Sequence, residues 1–255
     1  GCRHIYGLDH VAICEGGAMN EKLVEAWQAN SALYWLPKIV GADLPTPATV
    51  VVPYDHHKAL EILDGLKPAH WDTWAREVTA AADTIGWPVF IRTDLASAKP
   101  GGPKAYKANG SGDVSKVLGA TIEDNELKLW LDPGAPQAFL VRRFLDLNVI
   151  FTAFDGLPIA MEWRYFVTAE QVMCRHFYWP EDAIRFWRGL EPPHDWQSRL
   201  AEIAAMEPPD DLGIWAVEAA RVCPAAPAWS VDFAEDKRGQ WWLIDMATAD
   251  RSWHP

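Results

Sequence analysis

The sequence predicts a mixed α+β fold, and three observations lead to this prediction. Helical and strand-like segments follow one another irregularly, without the strict strand–helix–strand order that builds a doubly wound sheet. The chain has 255 residues, 49% of them hydrophobic, which is enough for one large domain or two small lobes with a buried core. The last strand-like segments form a hairpin, which is a unit of antiparallel sheets.

The order of the elements is read from hydrophobic spacing and from Gly and Pro punctuation. In the first half we expect a helix within 20–40, a strand at 48–54, helices at 55–65 and 71–85, and a strand at 88–94 followed by a long loop. In the second half we expect a helix starting at 113–118, strands at 127–131 and 138–147, two or three strands within 151–179, helices within 180–227, and the hairpin 229–246. Asp210 or Asp211 is the expected N-cap of the last helix.

Charge and cysteine content narrow the class of protein. With 35 acidic and 23 basic side chains the net charge is −12, so no nucleic-acid groove lined by clustered Lys and Arg is expected. Cys2, Cys14, Cys174 and Cys223 lie far apart, which suits a reducing, cytoplasmic setting and argues against a structural zinc site. No apolar run reaches about 18 residues, so we expect neither a membrane span nor a signal peptide.

The terminal hairpin carries two carboxylates at opposed positions. If the turn is centred between Arg238 and Gly239, Asp232 and Asp245 lie equally far from that centre and share one face. Like charges that face each other across a sheet are destabilising, and Mg²⁺ that also binds phosphate would offset them. The alternatives are that both strands are edge strands with solvated acids, or that a bulge shifts the register.

The loop after the strand at 88–94 is a candidate anion site. Arg92 lies in the strand and Lys99 in the loop, among small residues that let backbone N–H groups approach a phosphate. The loop is not a Walker A motif, and the chain contains no G-x-G-x-x-G pattern. A solvated basic surface loop is the alternative.

The strand AMEWRYFV has one polar face. Glu162 and Arg164 share that face, while Met161, Trp163 and Tyr165 share the other. The polar face suits either a cleft or an ordinary exposed sheet surface. The 15 tryptophans are expected mainly as core fillers. Alternation places Trp163, Trp229 and Trp242 opposite the polar residues and Trp241 on the face of Asp245.

Five segments in this order resemble the ATP-grasp superfamily: GADLPTPATVVVP, WPVFIRTDLASAKPGG, AFLVRRFLDL, MEWRYFV and WSVDFAEDKRGQWWLIDMA. They look most like a divergent, phage-associated branch of it. The resemblance implies a two-lobed α+β fold with ATP held between two subdomains. The implied division is a short N-terminal segment at 1–40, an N-terminal lobe at 41–139, and a C-terminal lobe at 140–255 that contains the hairpin.

The resemblance also implies roles for individual residues. The adenine would lie against the segment Val141, Arg142, Arg143, Phe144 and Leu145, with Asp146 near the ribose. Phosphates would meet Arg92, Ser97 and Lys99. Arg164 would bind the γ-phosphate or the acyl-phosphate, acting with Arg92 and Lys99 in catalysis. Arg175 would bind a substrate carboxylate, and Asp232 and Asp245 would hold Mg²⁺.

The implied activity is ligation of a carboxylate to an amine, of the peptide-bond type, through an acyl-phosphate, with ATP and a small molecule or peptide as partners. Two positions depart from the family pattern: Arg92 stands where Lys is typical, and Ala247 stands where the ending Glu-x-Asn has its Asn. Two other functions therefore stay open. One is a nucleotide-binding or interaction module with little turnover, and the other is a small-molecule phosphotransferase.

Overall fold

The computed structural model of the protein describes residues 28–95, 106–129, 136–153, 157–185 and 192–254. The strands in these ranges are β1 (Thr49–Pro53), β2 (Val89–Thr93), β3 (Lys107–Ala108), β4 (Ala138–Arg143), β5 (Val149–Ala153), β6 (Leu157–Ala160), β7 (Glu162–Val167), β8 (Val172–Phe177), β9 (Trp229–Glu235) and β10 (Trp241–Thr248). The α-helices are α1 (Ala32–Gly41), α2 (His56–Ala59), α3 (Trp71–Ile85), α4 (Val114–Leu129), α5 (Glu181–Arg185), α6 (Trp196–Ala204) and α7 (Asp210–Val222). Within the described ranges, short 3₁₀ helices lie at Leu60–Asp64, Ser111–Asp113 and Ala249–Arg251.

The first lobe is an antiparallel sheet with the strand order β1-β4-β2-β3. Helices α3 and α4 pack on one face of this sheet. Alternate side chains of the central strands, including Ile91, Phe139 and Val141, are buried in the core between sheet and helices. The side chains between them, including Arg92 and Arg142, therefore point to the other face, where the second lobe lies.

The second lobe is an antiparallel sheet with the strand order β10-β9-β7-β8, and β5 and β6 form a separate hairpin. Helices α6 and α7 contact this sheet. Their core includes Trp163, Tyr165, Trp229 and Phe233. The face with Arg164 is opposite this core, as the sequence predicts. We call it the polar face of the second sheet.

The expected lobe boundary between residues 139 and 140 falls inside β4, which pairs with β1 and β2 along its whole length. The two sheets divide after Arg143 instead. Helix α1 also does not stand apart, because Trp35 and Ile39 are buried in the core of the second lobe. The described end of the 1–40 segment is thus part of that lobe.

Most predicted elements are present, but the range 151–179 holds all or part of four strands, β5 to β8, where two or three are predicted. Two other details differ. The predicted strand at 127–131 is wrong over its described residues, because α4 continues to Leu129. The buried positions Val114, Val117, Leu118 and Ile122 have helical spacing, and this spacing carries the helix forward. The N-cap of α7 is Pro209, so Asp210 and Asp211 lie in the first turn. None of the described helices is long and apolar enough to cross a membrane.

Candidate functional site

The terminal hairpin brings Asp232 and Asp245 opposite each other as the sequence predicts, but by a different route. The turn at 236–240 is one residue longer than expected and contains Gly239 at φ +80°. A bulge between Leu243 and Asp245 then adds one residue to β10. These two one-residue departures cancel at Asp245. The bulge, which stood as an argument against the pair, is therefore what creates it.

Because of the bulge, two tryptophan side chains lie on the faces opposite to those that the sequence predicts. Trp241 packs against the core of the second lobe, whereas Trp242 is paired with Ala234 on the polar face. The sequence predicts the opposite for both residues. The reason is that an extra residue in a strand reverses the alternation of side chains beyond it.

Each of the two carboxylates has an arginine partner. Asp232 accepts hydrogen bonds from Nε and Nη2 of Arg164 at 2.7 and 2.8 Å, which is a bidentate pair. Asp245 accepts one from Nη2 of Arg92 at 3.1 Å, from across the space between the sheets. The repulsion between the two acids is thus offset by arginines in this structure. A cation is not needed for that purpose alone.

A second guanidinium of the first sheet reaches the same place. Arg142 is 5% exposed and donates from Nη1 to the main-chain carbonyl oxygen of Ile244 at 2.6 Å. The pKa of Arg142 is lowered to about 9, mainly by burial and also by the positive charge of Arg92, while the charge of Asp245 opposes this effect. Two arginines of the first sheet therefore share one close carboxylate, which favours binding of a further anion.

Arg164 is held on three sides. Its guanidinium lies 4.6 Å from the ring centroid of Tyr178, and Nη1 donates to the carbonyl oxygen of Trp253 at 3.3 Å. Burial alone would lower the pKa of Arg164, but the hydrogen bonds and charge of Asp232 outweigh this effect and raise it. Arg164 thus stays charged and suits the binding of a phosphate or carboxylate.

The last described residues lie along the polar face of the second sheet. The hydroxyls of Ser252 and Ser230 are hydrogen-bonded, and the ring of His254 lies 4.7 Å from that of Phe166. With the Trp253 carbonyl on Arg164, this segment covers part of the candidate site. A ligand that takes all the donors of Arg164 has to displace it.

The segment expected to hold adenine connects the two lobes, but its side chains differ in accessibility. Val141 is buried in the first core and faces away from the candidate site. Phe144 is half-buried, and Nζ of Lys107 lies 4.3 Å from the centroid of its ring. Asp146 is exposed and pairs with Lys237 of the hairpin turn at 2.8 Å. Arg143 is exposed and Leu145 is half-buried.

Three residues that the sequence predicts at the site are not part of the cluster that the structure describes. Arg175 lies opposite Tyr165 in the β7–β8 pair, on the face that packs against the helices, and forms an ion pair with Glu207. It therefore does not share the polar face with Arg164. The expected substrate role of Arg175 is not supported by this placement. Ser97 and Lys99 lie outside the described residues.

Sequence reasoning missed one contribution to the site, and it interpreted a second residue, His176, as structural rather than catalytic. Nothing in the sequence signals the bond from Arg142 to Ile244, because its acceptor is a main-chain carbonyl 102 residues away. His176 lies opposite Arg164 on the polar face, and burial lowers its pKa. The alternation of side chains along β8 assigns His176 to this face once the pairing of β8 with β7 is known.

The donor set suits a magnesium ion only in part. In the described part of the chain there is no group of three or more His, Cys, Asp and Glu side chains suited to a metal. Two opposed carboxylates do match the one or two protein ligands that Mg²⁺ usually takes when phosphate oxygens and water complete its shell. The residues present therefore fit Mg²⁺ bound together with a phosphate.

No family model matches the chain, and no curated protein matches its sequence. Several solved structures, however, match this chain in three dimensions. The C-terminally truncated Cdc123 of Schizosaccharomyces pombe matches 89% of this chain and 85% of its own, with a TM-score of 0.53 and 14% identity. A RimK domain ATP-grasp protein of Sphaerobacter thermophilus matches 88% of this chain with a TM-score of 0.47 and 16% identity. The D-cycloserine synthetase DcsG matches 87%, with a TM-score of 0.47 and 12% identity.

Of these three matches, the one to Cdc123 has a TM-score above 0.5, and it shows that this chain shares the fold of Cdc123. Two antiparallel α+β lobes with charged residues between their sheets are the arrangement that the sequence resemblance implies. This chain spans 61% of the length of the Sphaerobacter protein and 62% of DcsG. At this low identity the likeness establishes the fold alone, and the activity of this chain has to be argued from its own residues.

Proposed function

We propose that this protein is an ATP-grasp enzyme that binds ATP and Mg²⁺ between its two sheets and joins a carboxylate to an amine through an acyl-phosphate. The observation that carries the proposal is the meeting of Arg92 and Arg142 from the first sheet with Arg164, Asp232 and Asp245 from the second. Glu162 also lies on the polar face, and its charge acts on Arg164, so three guanidinium groups and three carboxylates meet here. A divalent cation on Asp232 and Asp245 would leave guanidinium groups available to a polyphosphate.

The chain's own residues would act by binding and orientation. Arg92 and Arg142 would hold phosphate oxygens from the first sheet, and Arg164 would hold the transferred phosphoryl group from the second. Asp232 and Asp245 would hold Mg²⁺, which neutralises phosphate charge when bound. Lys99 and Ser97 are proposed as further phosphate ligands. The segment 144–146 is proposed to lie along the base and the ribose.

In the proposed reaction a carboxylate oxygen bonds to the γ-phosphorus of ATP and the bond to the ADP oxygen breaks. The amine nitrogen then bonds to the acyl carbon, phosphate leaves, and the amine loses a proton. Arg164 would stabilise the charge on the transferred phosphoryl group, because Asp232 maintains the charge of Arg164 itself. No nucleophilic side chain of the protein is required.

A nucleotide-binding module with little or no turnover is the second candidate. The observation that favours it is Ala247, which lies opposite Ser230 on the polar face, two residues beyond Asp245. A methyl group at this position cannot bind a cation, whereas an asparagine amide could. Mg²⁺ would then rest on two carboxylates that already have arginine partners.

The two functions differ in product release. We expect Mg²⁺-dependent binding of ADP by isothermal titration calorimetry in both cases. Ligation requires that ADP and phosphate appear only when amino acids, peptides or other carboxylates and amines are added. ADP without phosphate would indicate a phosphotransferase, and binding without turnover would indicate the module. Absence of any binding of ADP or ATP with Mg²⁺ would exclude all three.

A further inference from the structure

We infer that Arg142 is a positioning residue: from the first lobe it holds the bulge at Ile244, and through the bulge it places Asp245 opposite Asp232. The significance of this placement rests on the proposed nucleotide site, but the placement itself belongs to the free protein. Arg142 would thus link the position of a candidate magnesium ligand to the contact between the lobes.

The bulge decides which side chain occupies the site. Before it, Leu243 pairs with Phe233, and after it Asp245 pairs with Asp232. Without the extra residue, the register of the turn would bring Ile244 opposite Asp232 and would place Asp245 opposite Val231. Val231 is fully buried in the core of the second lobe, so the slip would turn Asp245 toward apolar side chains.

Among the described strands, the one that carries the bulge has a single neighbour in its sheet. Strand β10 is at the edge of the order β10-β9-β7-β8, and a bulge leaves an unpaired group even in a fully paired strand. An edge strand is free to shift unless other contacts hold it. The register of β10 therefore depends on what lies along its open edge.

The first lobe supplies contacts along that edge. The amide of Leu243 donates to the carbonyl oxygen of Pro45 at 2.7 Å, and Thr46 Oγ1 donates to the carbonyl oxygen of Leu243 at 3.2 Å. Arg142 Nη1 donates to the next carbonyl oxygen, that of Ile244, at 2.6 Å. The arginine thus satisfies the main-chain group at the bulge itself.

Arg142 has few other contacts that would explain a buried cation. Its Nε donates to Thr49 Oγ1 at 3.3 Å, and its Nη2 is buried with no hydrogen-bond partner among the described residues. A neighbouring charge, that of Arg92, is of the same sign. A buried charge without compensation is costly, so the bond to Ile244 and the charge of Asp245 are its main compensation. The remaining N–H groups of Nη2 are available to an anion between the sheets.

Hydrogen–deuterium exchange of the free protein tests the positioning directly. In Arg142→Met, which keeps most of the side-chain volume, we expect the amides of 241–248 to exchange at least about tenfold faster, while those of β7 stay protected. Arg142→Lys keeps the charge and one hydrogen-bonding group, and it should give an intermediate exchange rate. It replaces Arg142→Met in the test if the Met variant does not fold. Arg221→Met, at an exposed position in α7, is the matched control. Unchanged exchange of 241–248 in both Arg142 variants would overturn the inference.

The consequence for Asp245 is tested by measuring the affinity for ADP in two titrations. One contains Mg²⁺, and the other contains EDTA instead of Mg²⁺. Loss of a group that orients a metal ligand typically lowers metal affinity by about 10- to 100-fold. We expect the gain in ADP affinity from Mg²⁺ to fall by about tenfold in Arg142→Met, less in Arg142→Lys, and not in Arg221→Met. An unchanged gain would overturn the inference even if exchange increased. If the wild-type protein does not bind ADP, the proposed function fails, and the exchange measurement alone decides on the positioning.

Discussion

Replacing Asp232 by alanine leaves the Arg164 guanidinium buried without its carboxylate, and we expect a large loss of stability. The two side chains are only 6% and 12% exposed. Two charge-assisted hydrogen bonds, at 2.7 and 2.8 Å, are lost. Among the described residues, Arg164 keeps the Trp253 carbonyl at 3.3 Å, the Tyr178 ring and the charge of Glu162. Breaking such a buried pair from one side costs about 3–5 kcal/mol.

Two further variants show whether this loss of stability comes from the buried Arg164 charge or would follow the removal of any ion pair. At roughly 2–4 °C for each kcal/mol, Asp232→Ala should lower the melting temperature by roughly 6–20 °C. Arg175→Met removes the exposed pair with Glu207 on the other face of the same sheet and should cost at most about 1 kcal/mol. The double variant Arg164→Met/Asp232→Leu removes both charges and should recover much of the loss.

Urea unfolding, followed by tryptophan fluorescence and by circular dichroism, measures these differences. If Asp232→Ala costs no more than Arg175→Met, Arg164 and Asp232 are not a buried, mutually dependent pair. If the double variant is less stable than Asp232→Ala, the unpaired charge is not the source of the loss. Either result would refute the electrostatic description of the second sheet.

Three further predictions concern the turn, the pH dependence and the first sheet. Gly239→Ala should cost about 1–3 kcal/mol in urea unfolding, because Gly239 has φ +80°, whereas Gly41→Ala should cost nothing, because a Cβ there meets no atom within 4 Å. Burial lowers the pKa of His176, so the unfolded chain takes up the proton first as the pH falls. Its contribution to stability is complete above about pH 6.5 and is lost as the pH falls through the lowered pKa. His176→Phe should reduce the fall in melting temperature between pH 7.5 and 5, and His194→Phe, at an exposed position, is the control. Arg92→Met should weaken ADP binding by about tenfold or more in calorimetry, through loss of a charged hydrogen-bond donor, and an unchanged affinity would remove Arg92 from the proposed phosphate site.

The sequence predicts the fold class and several of the residues that meet, because both depend on short-range patterns. Hydrophobic spacing locates α3 at its observed bounds, and alternation assigns Arg164 to the polar face of β7. The pair of Asp232 and Asp245 is also predicted. That prediction succeeds because a longer turn and a bulge compensate each other, and neither can be recognised from hydrophobic alternation alone.

Other features depend on contacts between distant segments and are not visible in the sequence. The orientation of Arg175 follows from the pairing of β8 with β7 and from the helices that cover the other face. The helix α4 extends through residues that look like a strand, since its buried positions continue the helical spacing. The role of Arg142 requires that two lobes meet. In each case tertiary packing selects among local alternatives that the sequence leaves open.

A crystal structure with Mg²⁺ and a non-hydrolysable ATP analogue tests the central claim most directly. We expect the phosphates between the two sheets, with Arg92 and Arg164 on phosphate oxygens and Mg²⁺ on Asp245 and Asp232. The Trp253 carbonyl should then have left Nη1 of Arg164. A nucleotide bound elsewhere, or phosphates that contact none of these arginines at saturating concentration, would contradict the account.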